Sequence, residues 1–274
     1  PLLHYYGVRR LDCCILTHED EDHRNGLAEL LRSEGENGSV EIGLLLLPSV
    51  RAEEKTEGYR EMEELASERG IPVRYLKEGD LLERGKLRME CLHPEENSSY
   101  AEANERSVTL YLTYGDFSCL LNGDLEGAGE ERLLRYVREE KEKTEKEKEA
   151  EEENHITWYE KKTDEESETM KSEKNVEGTE EAAETVEAKI PITLLHVAHH
   201  GSRGATSEEF LQTFRPVYAY VSCGEGNRYG HPHEETLERL QEAGVQRIYD
   251  TRYGGELTFT TDGKRLRVRS FKGK

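Results

Sequence analysis

Residues 8–23 read VRRLDCCILTHEDEDH, and this stretch decides the kind of fold that the chain adopts. Its first part, residues 8–17, ends in an apolar run and predicts a strand that arrives at a polar loop. That loop holds two histidines and two aspartates within six positions and four acidic side chains in all. Carboxylates packed this closely repel one another unless a cation neutralises them. Imidazole nitrogen and carboxylate oxygen together form a donor set for a divalent metal.

In a loop, alternate side chains can turn to one side. We therefore expect His18, Asp20 and Asp22 to converge, with His23 beside them. The alternative interpretation of residues 17–23 is a solvated polar turn without a ligand.

The length and composition bound the possible classes of protein. The 274 residues suit one large domain or two small ones. The longest apolar run, residues 42–47, is far shorter than the ~20 residues that cross a bilayer. The chain begins at Pro1 without a signal peptide, so we expect a soluble fragment of a longer protein. We expect the five cysteines, which form no CxxC pair, to be buried as small apolar residues: Cys13, Cys14, Cys91, Cys119 and Cys223.

The charge is concentrated in one segment. The whole chain has a net charge of −21, and residues 138–189 contain 20 acidic and 10 basic side chains with little apolar periodicity. This composition predicts a charged insertion in a surface loop, either disordered or a solvated single helix, within a domain formed by residues 1–137 and 190–274. An interaction tail is the alternative. From residue 191 onward the chain holds 12 basic and 10 acidic residues, so an anionic substrate is not excluded there.

Strand and helix patterns intermix along the whole chain, which predicts an α/β or α+β fold. Residues 107–121 contain two strands that turn at Gly115-Asp116, a hairpin pattern. Asn25-Gly26 is expected to open a short helix, and a further helix over 207–214 is expected to be capped by Ser207.

Three later motifs follow predicted strands. Residues 120–124, LLNGD, place Asp124 at the end of a strand, where the alternative is an Asx turn that caps the next helix. Residues 196–202, HVAHHGS, contain adjacent histidines. His199 and His200 point in opposite directions if the strand continues, so one is expected to be a ligand and the other a proton-transfer group.

The remaining histidines of these motifs differ in context. His196 alternates with apolar side chains and is interpreted as structural. In residues 227–233, NRYGHPH, His231 lies in a turn set by Gly230 and Pro232, and His233 is interpreted as the start of the next helix.

Together the four motifs resemble the metallo-β-lactamase superfamily and, more closely, the C-terminal hydrolase-like domain of the ComEC family of DNA-uptake proteins. The resemblance covers residues 6–261 apart from the insertion and is carried by THEDEDHRNGL, LLNGDLEGAGEERLL, LLHVAHHGSRGATSEEFL and SCGEGNRYGHPHEETLERLQEAG. It implies a four-layer αββα sandwich with a binuclear metal site between the two sheets. The first strands of such a domain, and membrane-spanning segments further upstream, would precede Pro1.

The resemblance also implies the ligands. The superfamily's HxHxDH motif falls on residues 18–23, where Asp20 replaces the second histidine; this oxygen donor makes the site harder and suits Mn²⁺ as well as Zn²⁺. It assigns one metal to His18, Asp20 and one of His199 and His200, the other metal to Asp22, His23 and His231, and a bridging position to Asp124.

The function implied by the resemblance is a DNA nuclease that degrades the strand that is not transported. Water activated by the metal pair would attack a phosphodiester, with Asp22 and His200 as catalytic residues and Arg203, Asn227 and Arg228 holding phosphates. The expected partners are single- or double-stranded DNA and the membrane-spanning portion of the same protein, without a small organic cofactor. The expected location is the outer face of a bacterial cell membrane.

Two other functions fit the same residues. The superfamily also hosts hydrolases of phosphocholine esters, lactones and β-lactams, and fold alone does not decide between them. A non-catalytic interaction domain of a membrane channel is the second alternative. Substrate preference, salt-sensitive DNA binding and a metal count separate these possibilities.

Overall fold

The computed structural model describes residues 2–33, 40–163 and 190–271. The chain divides into two compact units, Pro1–Leu134 with Lys189–Lys274, and Arg135–Ala188. All four motifs belong to the first unit. Of the predicted insertion, residues 138–163 are helical and residues 164–189 lie outside the described part. None of the described helices has the length and hydropathy of a bilayer-spanning segment.

The elements follow in chain order. In the first half they are α1 (Leu2–Tyr5), β1 (Arg10–Leu11), β2 (Cys14–Ile15), α2 (Glu21–Ser33), β3 (Glu41–Ile42), β4 (Leu45–Pro48), α3 (Glu57–Glu68), β5 (Val73–Leu76), β6 (Leu81–Arg84), β7 (Leu87–His93), β8 (Thr109–Tyr114) and β9 (Phe117–Leu121). They continue with α4 (Gly127–Thr163), β10 (Leu194–His196), α5 (Glu208–Phe214), β11 (Tyr218–Val221), α6 (Glu234–Glu242), β12 (Arg247–Asp250), α7 (Thr251–Gly254), β13 (Leu257–Thr261) and β14 (Leu266–Ser270). Short 3₁₀ turns lie at Ala52–Glu54, Asn104–Arg106 and His199–Gly201.

The fold is mixed α/β and is built on two main sheets. The larger has seven strands in the order β12-β11-β10-β9-β8-β7-β6. Its strands β9 to β12 pair in parallel, and its strands β6 to β9 pair in antiparallel. The smaller is a parallel sheet in the order β2-β4-β5. Strands β13 and β14 form a separate antiparallel hairpin.

The two main sheets pack face to face. Leu46 of β4 and Leu76 of β5 form one core cluster with Cys91 of β7 and Leu110 of β8. The other face of the small sheet packs against α2 and α3, in a second cluster. The opposite face of β9 to β11 is also buried, at Leu120, Leu195, Ala219 and Val221. The longer of the remaining helices, α4, α5 and α6, account for the layer on this face. The order of layers is therefore helix, sheet, sheet, helix, as the sequence predicts.

Several local predictions are confirmed. The hairpin of β8 and β9 turns at Gly115, and the hydroxyl of Ser207 accepts a hydrogen bond from the Phe210 amide at the start of α5. The strand predicted over 8–17 is broken into β1 and β2, and β6 is an additional strand. Two of the five cysteines, Cys91 and Cys119, are buried, whereas Cys13, Cys14 and Cys223 are half-buried.

Candidate metal centre

Residues from all four motifs line one cavity of about 680 Å³. The cavity lies where the loops after β2, β9, β10 and β11 meet. Its walls include Asp20, Asp22, Asp124, His199, His200, Asn227, Arg228 and His231. Segments that are more than two hundred residues apart in the chain therefore reach the same space.

The first motif does not form the loop expected from the sequence. Helix α2 begins at Glu21 rather than near Asn25-Gly26, so Asp22 and His23 project from its first turn. Acidic residues are favourable in a first turn because they face the positive end of the helix dipole. His18, two residues after the buried Leu16, is itself fully buried.

The loop after β9 brings Asp124 against the first motif. Gly123 has a φ of +54°, and a Cβ at this position would lie 2.8 Å from Cβ of Thr17. Glycine is therefore required for the close approach of the two loops. Asp124 is only 3% exposed, and its amide donates a hydrogen bond to Oγ of Ser107 over 3.2 Å.

The adjacent histidines leave the sheet before they reach the cavity. Strand β10 ends at His196, and His199 and His200 have φ values of +48° and +53°. As a result, both rings turn toward Asp124 instead of to opposite sides. Nε2 of His200 lies 3.6 Å from Oδ2 of Asp124, and Nε2 of His199 lies 3.9 Å from the same oxygen. The ring of His196 packs on Tyr220 instead, with centroids 5.0 Å apart, as expected of a structural residue.

The fourth motif is braced by its own asparagine. The Asn227 amide group donates to the His231 carbonyl over 2.7 Å and its oxygen accepts from the His231 amide over 2.9 Å. The His231 ring then lies 5.5 Å from that of His199. His233 is the N-cap residue of α6, and its Nδ1 accepts a hydrogen bond from the amide of Arg203.

Four donor atoms, one each from Asp22, His23, Asp124 and His200, lie within 4.8 Å of one another. Nε2 of His23 is 3.2 Å from Oδ1 of Asp124, and Nε2 of His200 is 3.4 Å from Oδ2 of Asp22. A further pair lies beside this group, since Nε2 of His18 is 3.7 Å from Oδ2 of Asp20.

The histidines share one orientation. In each of four rings the protein engages Nδ1: Ser107 Oγ in His18 (3.2 Å), Thr17 Oγ1 in His23 (3.2 Å), Glu126 Oε2 in His199 (2.9 Å) and the Ser222 carbonyl in His200 (2.5 Å). Every one of these rings therefore offers Nε2 to the centre. A second interaction that holds one ring nitrogen and presents the other is typical of metal-binding histidines.

Several of the presented atoms are buried without a hydrogen-bond partner: Nε2 of His18, His23 and His200, and Oδ1 of Asp124. Buried polar atoms in folded proteins are nearly always satisfied, so such a group needs an explanation. Nitrogen and carboxylate oxygen are donors for Zn²⁺ and Mn²⁺, so bound divalent cations would satisfy these atoms. The residues present therefore fit a divalent metal centre.

The protonation states suit the same role. Burial lowers the pKa of His18 from its ordinary 6.5 to about 4, so its imidazole is neutral. Burial alone would raise the pKa of Asp124, but the neighbouring His23, with Nε2 3.2 Å from Oδ1, outweighs it and lowers this pKa to about 2. Burial, with Asp22 nearby, raises the pKa of Asp20. Neutral imidazole and ionised carboxylate are the forms that bind metals.

Comparison with known sequences finds similar proteins over nearly the whole chain. No family model matches the chain. It is 28% identical to ComE operon protein 3 of Bacillus subtilis over 94% of its length, and 25% identical to Competence protein ComA of Neisseria gonorrhoeae over 99%. Recombination protein 2 of Haemophilus influenzae is 32% identical over 30% of the chain. The chain spans only 26% and 29% of the length of the first two relatives.

Two solved structures align with the chain at low identity and low TM-score. CmlA, a diiron β-hydroxylase from Streptomyces venezuelae, is 12% identical with a TM-score of 0.47, over 88% of this chain and 44% of CmlA. A candidate metal-dependent hydrolase from Parabacteroides distasonis is 12% identical with a TM-score of 0.41, over 90% of this chain and 79% of that one. The similarity to the first two relatives extends over nearly the whole chain, and its donor atoms converge in a group that fits a divalent metal.

Of the three residues predicted to bind phosphate, two line the cavity and one does not. Asn227 and Arg228 line the cavity, and Arg228 contacts the ring of Tyr229 with its guanidinium carbon 4.8 Å from the centroid. Arg203 is not among the lining residues. Its exposed guanidinium pairs with Glu235 over 3.0 Å.

A supporting element that sequence reasoning missed is the 104–107 turn, formed by Asn104, Glu105, Arg106 and Ser107. Ser107 contacts both His18 and Asp124, and Arg106 forms a buried ion pair with Glu19 of the first motif at 3.3 Å. One short turn thus holds parts of two motifs. Its sequence, NERS, has no metal-ligand spacing, so only the tertiary structure reveals it.

Glu126 was missed as well. Its carboxylate accepts from Nδ1 of His199 over 2.9 Å and from the side-chain amide of Asn104 over 3.0 Å. The residue lies two positions after Asp124, which places both carboxylates in the same loop. That spacing was the available signal in the sequence.

Proposed function

We propose that this domain is a metal-dependent nuclease of a ComEC-type DNA-uptake protein, cleaving phosphodiester bonds of the strand that is not transported. The observation that carries the proposal is the convergence of imidazole and carboxylate donors from four segments on one open cavity. Two of the similar proteins are named for competence or its operon and a third for recombination, which supports DNA as the substrate.

The donor atoms form two candidate ligand sets. His18 with Asp20 would hold one ion, Asp22 with His23 and His200 would hold the other, and Asp124 would serve both. His231 completes the second set in the family pattern and lies on the cavity wall. Bound divalent ions would supply a nucleophile from water at neutral pH and offset the charge of the phosphate.

The chain's own residues orient the substrate and move protons. Arg228 and Asn227 on the cavity wall would hold the phosphate next to the cleaved bond. Asp22, at the cavity surface, would accept a proton from the attacking water. A histidine of the 199–200 pair would donate the proton to the leaving oxygen. The sequence-based prediction gave this role to His200, but His200 lies within the donor group, so we assign the donation to His199, which Glu126 holds at Nδ1.

We further propose that the domain functions at a bacterial cell membrane, on its outer face, joined to a membrane-spanning portion of the same protein. The similarity to competence proteins supports the membrane association, and the first two relatives are about three to four times longer than the matched region. A nuclease on the outer face would meet DNA before its transport.

Cleavage of end-labelled single- and double-stranded DNA with Mn²⁺ or Zn²⁺ tests the proposal, on the chain itself and on a version extended at its amino end. We expect cleavage that Asp124→Asn and His18→Ala reduce by at least about a hundredfold. Esters of choline phosphate, lactones and β-lactams serve as competing substrates. Equal cleavage by His18→Ala, or preference for one of those esters, would contradict the nuclease assignment.

A further inference from the structure

The outer face of the β13–β14 hairpin presents a row of arginines. Arg265, Arg267 and Arg269 alternate along β14 and the turn before it, and all three are exposed. The other face of the hairpin is apolar, where Phe259 packs on Tyr220 with ring centroids 5.1 Å apart. The three side chains therefore share the solvent face, because alternate residues of a strand point to the same side.

We call these three residues the arginine ladder, and their positive charges are not paired with acidic side chains of the described residues. Among the described residues none of the three forms an ion pair, although the chain carries a net charge of −21. The nearest acidic side chain in their turn, Asp262, accepts hydrogen bonds from the backbone amides of Lys264 and Arg265 instead. Successive guanidinium groups are about 7 Å apart, given a rise of about 3.4 Å per residue.

The ladder begins near the cavity and leads away from it. Strand β13 follows α7, in which the Thr251 hydroxyl accepts from the amide of Cys223, a cavity-lining residue, over 2.9 Å. In the antiparallel register Thr258 faces Arg269 and Thr260 faces Arg267. Arg269 is therefore the near end of the ladder and Arg265 the far end.

We propose that the arginine ladder binds the sugar–phosphate backbone of the nucleic acid whose cleaved bond occupies the cavity. The inference deepens the nuclease proposal and rests on it. Arginine matches phosphate with a planar fork of donors, and the hydroxyl of Thr260, opposite Arg267, adds a neutral donor. A row of exposed cations without a side pocket contacts phosphates without reading the bases, so binding is independent of sequence.

Binding of fluorescein-labelled 20-nucleotide DNA by the intact chain tests the ladder, measured by anisotropy in EDTA between 50 and 200 mM NaCl. The variant R265Q/R267Q/R269Q is compared with R60Q/R74Q/K86Q, which removes three exposed cations from α3, β5 and the β6–β7 turn. Each phosphate contact to a single strand contributes about 0.7 to the slope of log K against log salt. We expect the ladder variant to lose about 2 from this slope and the control to lose little.

The same difference in slope means that, between 50 and 200 mM NaCl, the DNA affinity of the wild type should fall by a factor about 20 times larger than that of the ladder variant. Equal losses in the two variants, or no loss in the ladder variant, would overturn the proposal. Exposed Phe271 and Tyr6 near the hairpin also suit a lipid surface, so vesicles with anionic phospholipid form a second arm. Loss of vesicle binding with DNA binding intact would assign the ladder to the membrane and overturn it.

Hydrolysis of bis(p-nitrophenyl) phosphate with Mn²⁺ separates this proposal from the nuclease proposal. The small diester reaches the cavity but not the ladder. We expect the ladder variant to hydrolyse it at the wild-type rate. If the ladder variant binds DNA more weakly but hydrolyses the diester normally, both proposals are supported. If it binds DNA and hydrolyses the diester normally, only the ladder proposal is refuted. If the wild type cleaves neither the diester nor DNA, the nuclease proposal is refuted, and the anisotropy measurement alone decides whether the ladder binds DNA.

Discussion

At the scale of single residues, the hydrogen bond at Nδ1 of each cavity histidine fixes the direction in which Nε2 points. A ring whose Nδ1 is held by a protein oxygen offers Nε2 in a set direction, and four rings of the cavity share this arrangement. His199 differs from the others because its partner, Glu126, is a carboxylate. Burial alone would lower the pKa of His199, but the hydrogen bond and charge of Glu126 outweigh it and raise this pKa. Glu126 is thus a positioning residue.

We expect Glu126→Gln to slow DNA cleavage above neutral pH about 10- to 100-fold, because the amide accepts the hydrogen bond of His199 but no longer raises its pKa. A proton donor with a lower pKa loses its proton at a lower pH, so the alkaline side of the pH–rate profile should move to lower pH. Initial rates of DNA cleavage across the neutral and mildly alkaline range measure the change, and Glu131→Gln, at an exposed position of α4, is the control. Mn²⁺ binding and urea unfolding should change little. An unaltered pH profile, or an equal change in the control, would contradict proton donation by His199.

At the scale of elements, the start of α4 rests on the 104–107 turn. The carboxylate of Glu105 accepts from the amide of Ala128 over 3.2 Å, and a Cβ on Gly129 would lie only 2.0 Å from the Glu105 carbonyl oxygen. Glycine is a poor helix former, so its presence inside α4 is explained by this close packing. A substitution that shifts the start of α4 is therefore expected to shift the 104–107 turn, and through Ser107 to displace His18.

The pair Gly129→Ala and Gly26→Ala separates packing from helix propensity. Both glycines lie within helices, but nothing lies within 4 Å of a Cβ on Gly26. We expect Gly26→Ala to raise the free energy of unfolding by up to about 1 kcal/mol, whereas overpacking should make Gly129→Ala lower it by about 1–3 kcal/mol. Urea denaturation followed by circular dichroism measures both. A stabilised Gly129→Ala protein would contradict the packing described for the turn.

The same elements show how far sequence reasoning reaches. The β8–β9 hairpin and the Ser207 cap were predictable because a few adjacent residues determine them. The start of α2 was predicted wrongly. Four consecutive acidic residues at 19–22 suggest a loop, but acidic side chains are also favourable in the first turn of a helix, where they face the positive end of its dipole. The 104–107 turn could not be found, because its role depends on contacts with residues 89 positions away and not on its own pattern.

At the scale of the whole molecule, the donor set joins the two sheets. His18, Asp20, Asp22 and His23 follow β2 of the small sheet, whereas the loops of the large sheet supply Asp124 and the later histidines. Neither sheet holds the complete set. A ligand that binds only the assembled set stabilises the folded state by mass action.

We expect Mn²⁺ to raise the melting temperature, by an amount that corresponds to about 2.7 kcal/mol when the free metal is a hundredfold above its dissociation constant. Differential scanning fluorimetry measures the shift, and EDTA should reverse it. Asp124→Asn should abolish the shift, because the two oxygens of Asp124 lie 3.2 Å from Nε2 of His23 and 3.6 Å from Nε2 of His200. A variant that still responds like the wild type would show that the stabilising ion binds elsewhere.

The charged segment, residues 138–189, falls between Asp124 and the histidines of the third motif. If the polypeptide were expressed as two pieces divided there, one piece would carry five of the donors and the other would carry His199, His200 and His231. Neither piece could bind metal as the intact domain does. Binding of metal to a mixture of the two pieces would then show that they have reassembled. The domain could therefore serve as a split protein in which the amount of bound metal measures reassembly.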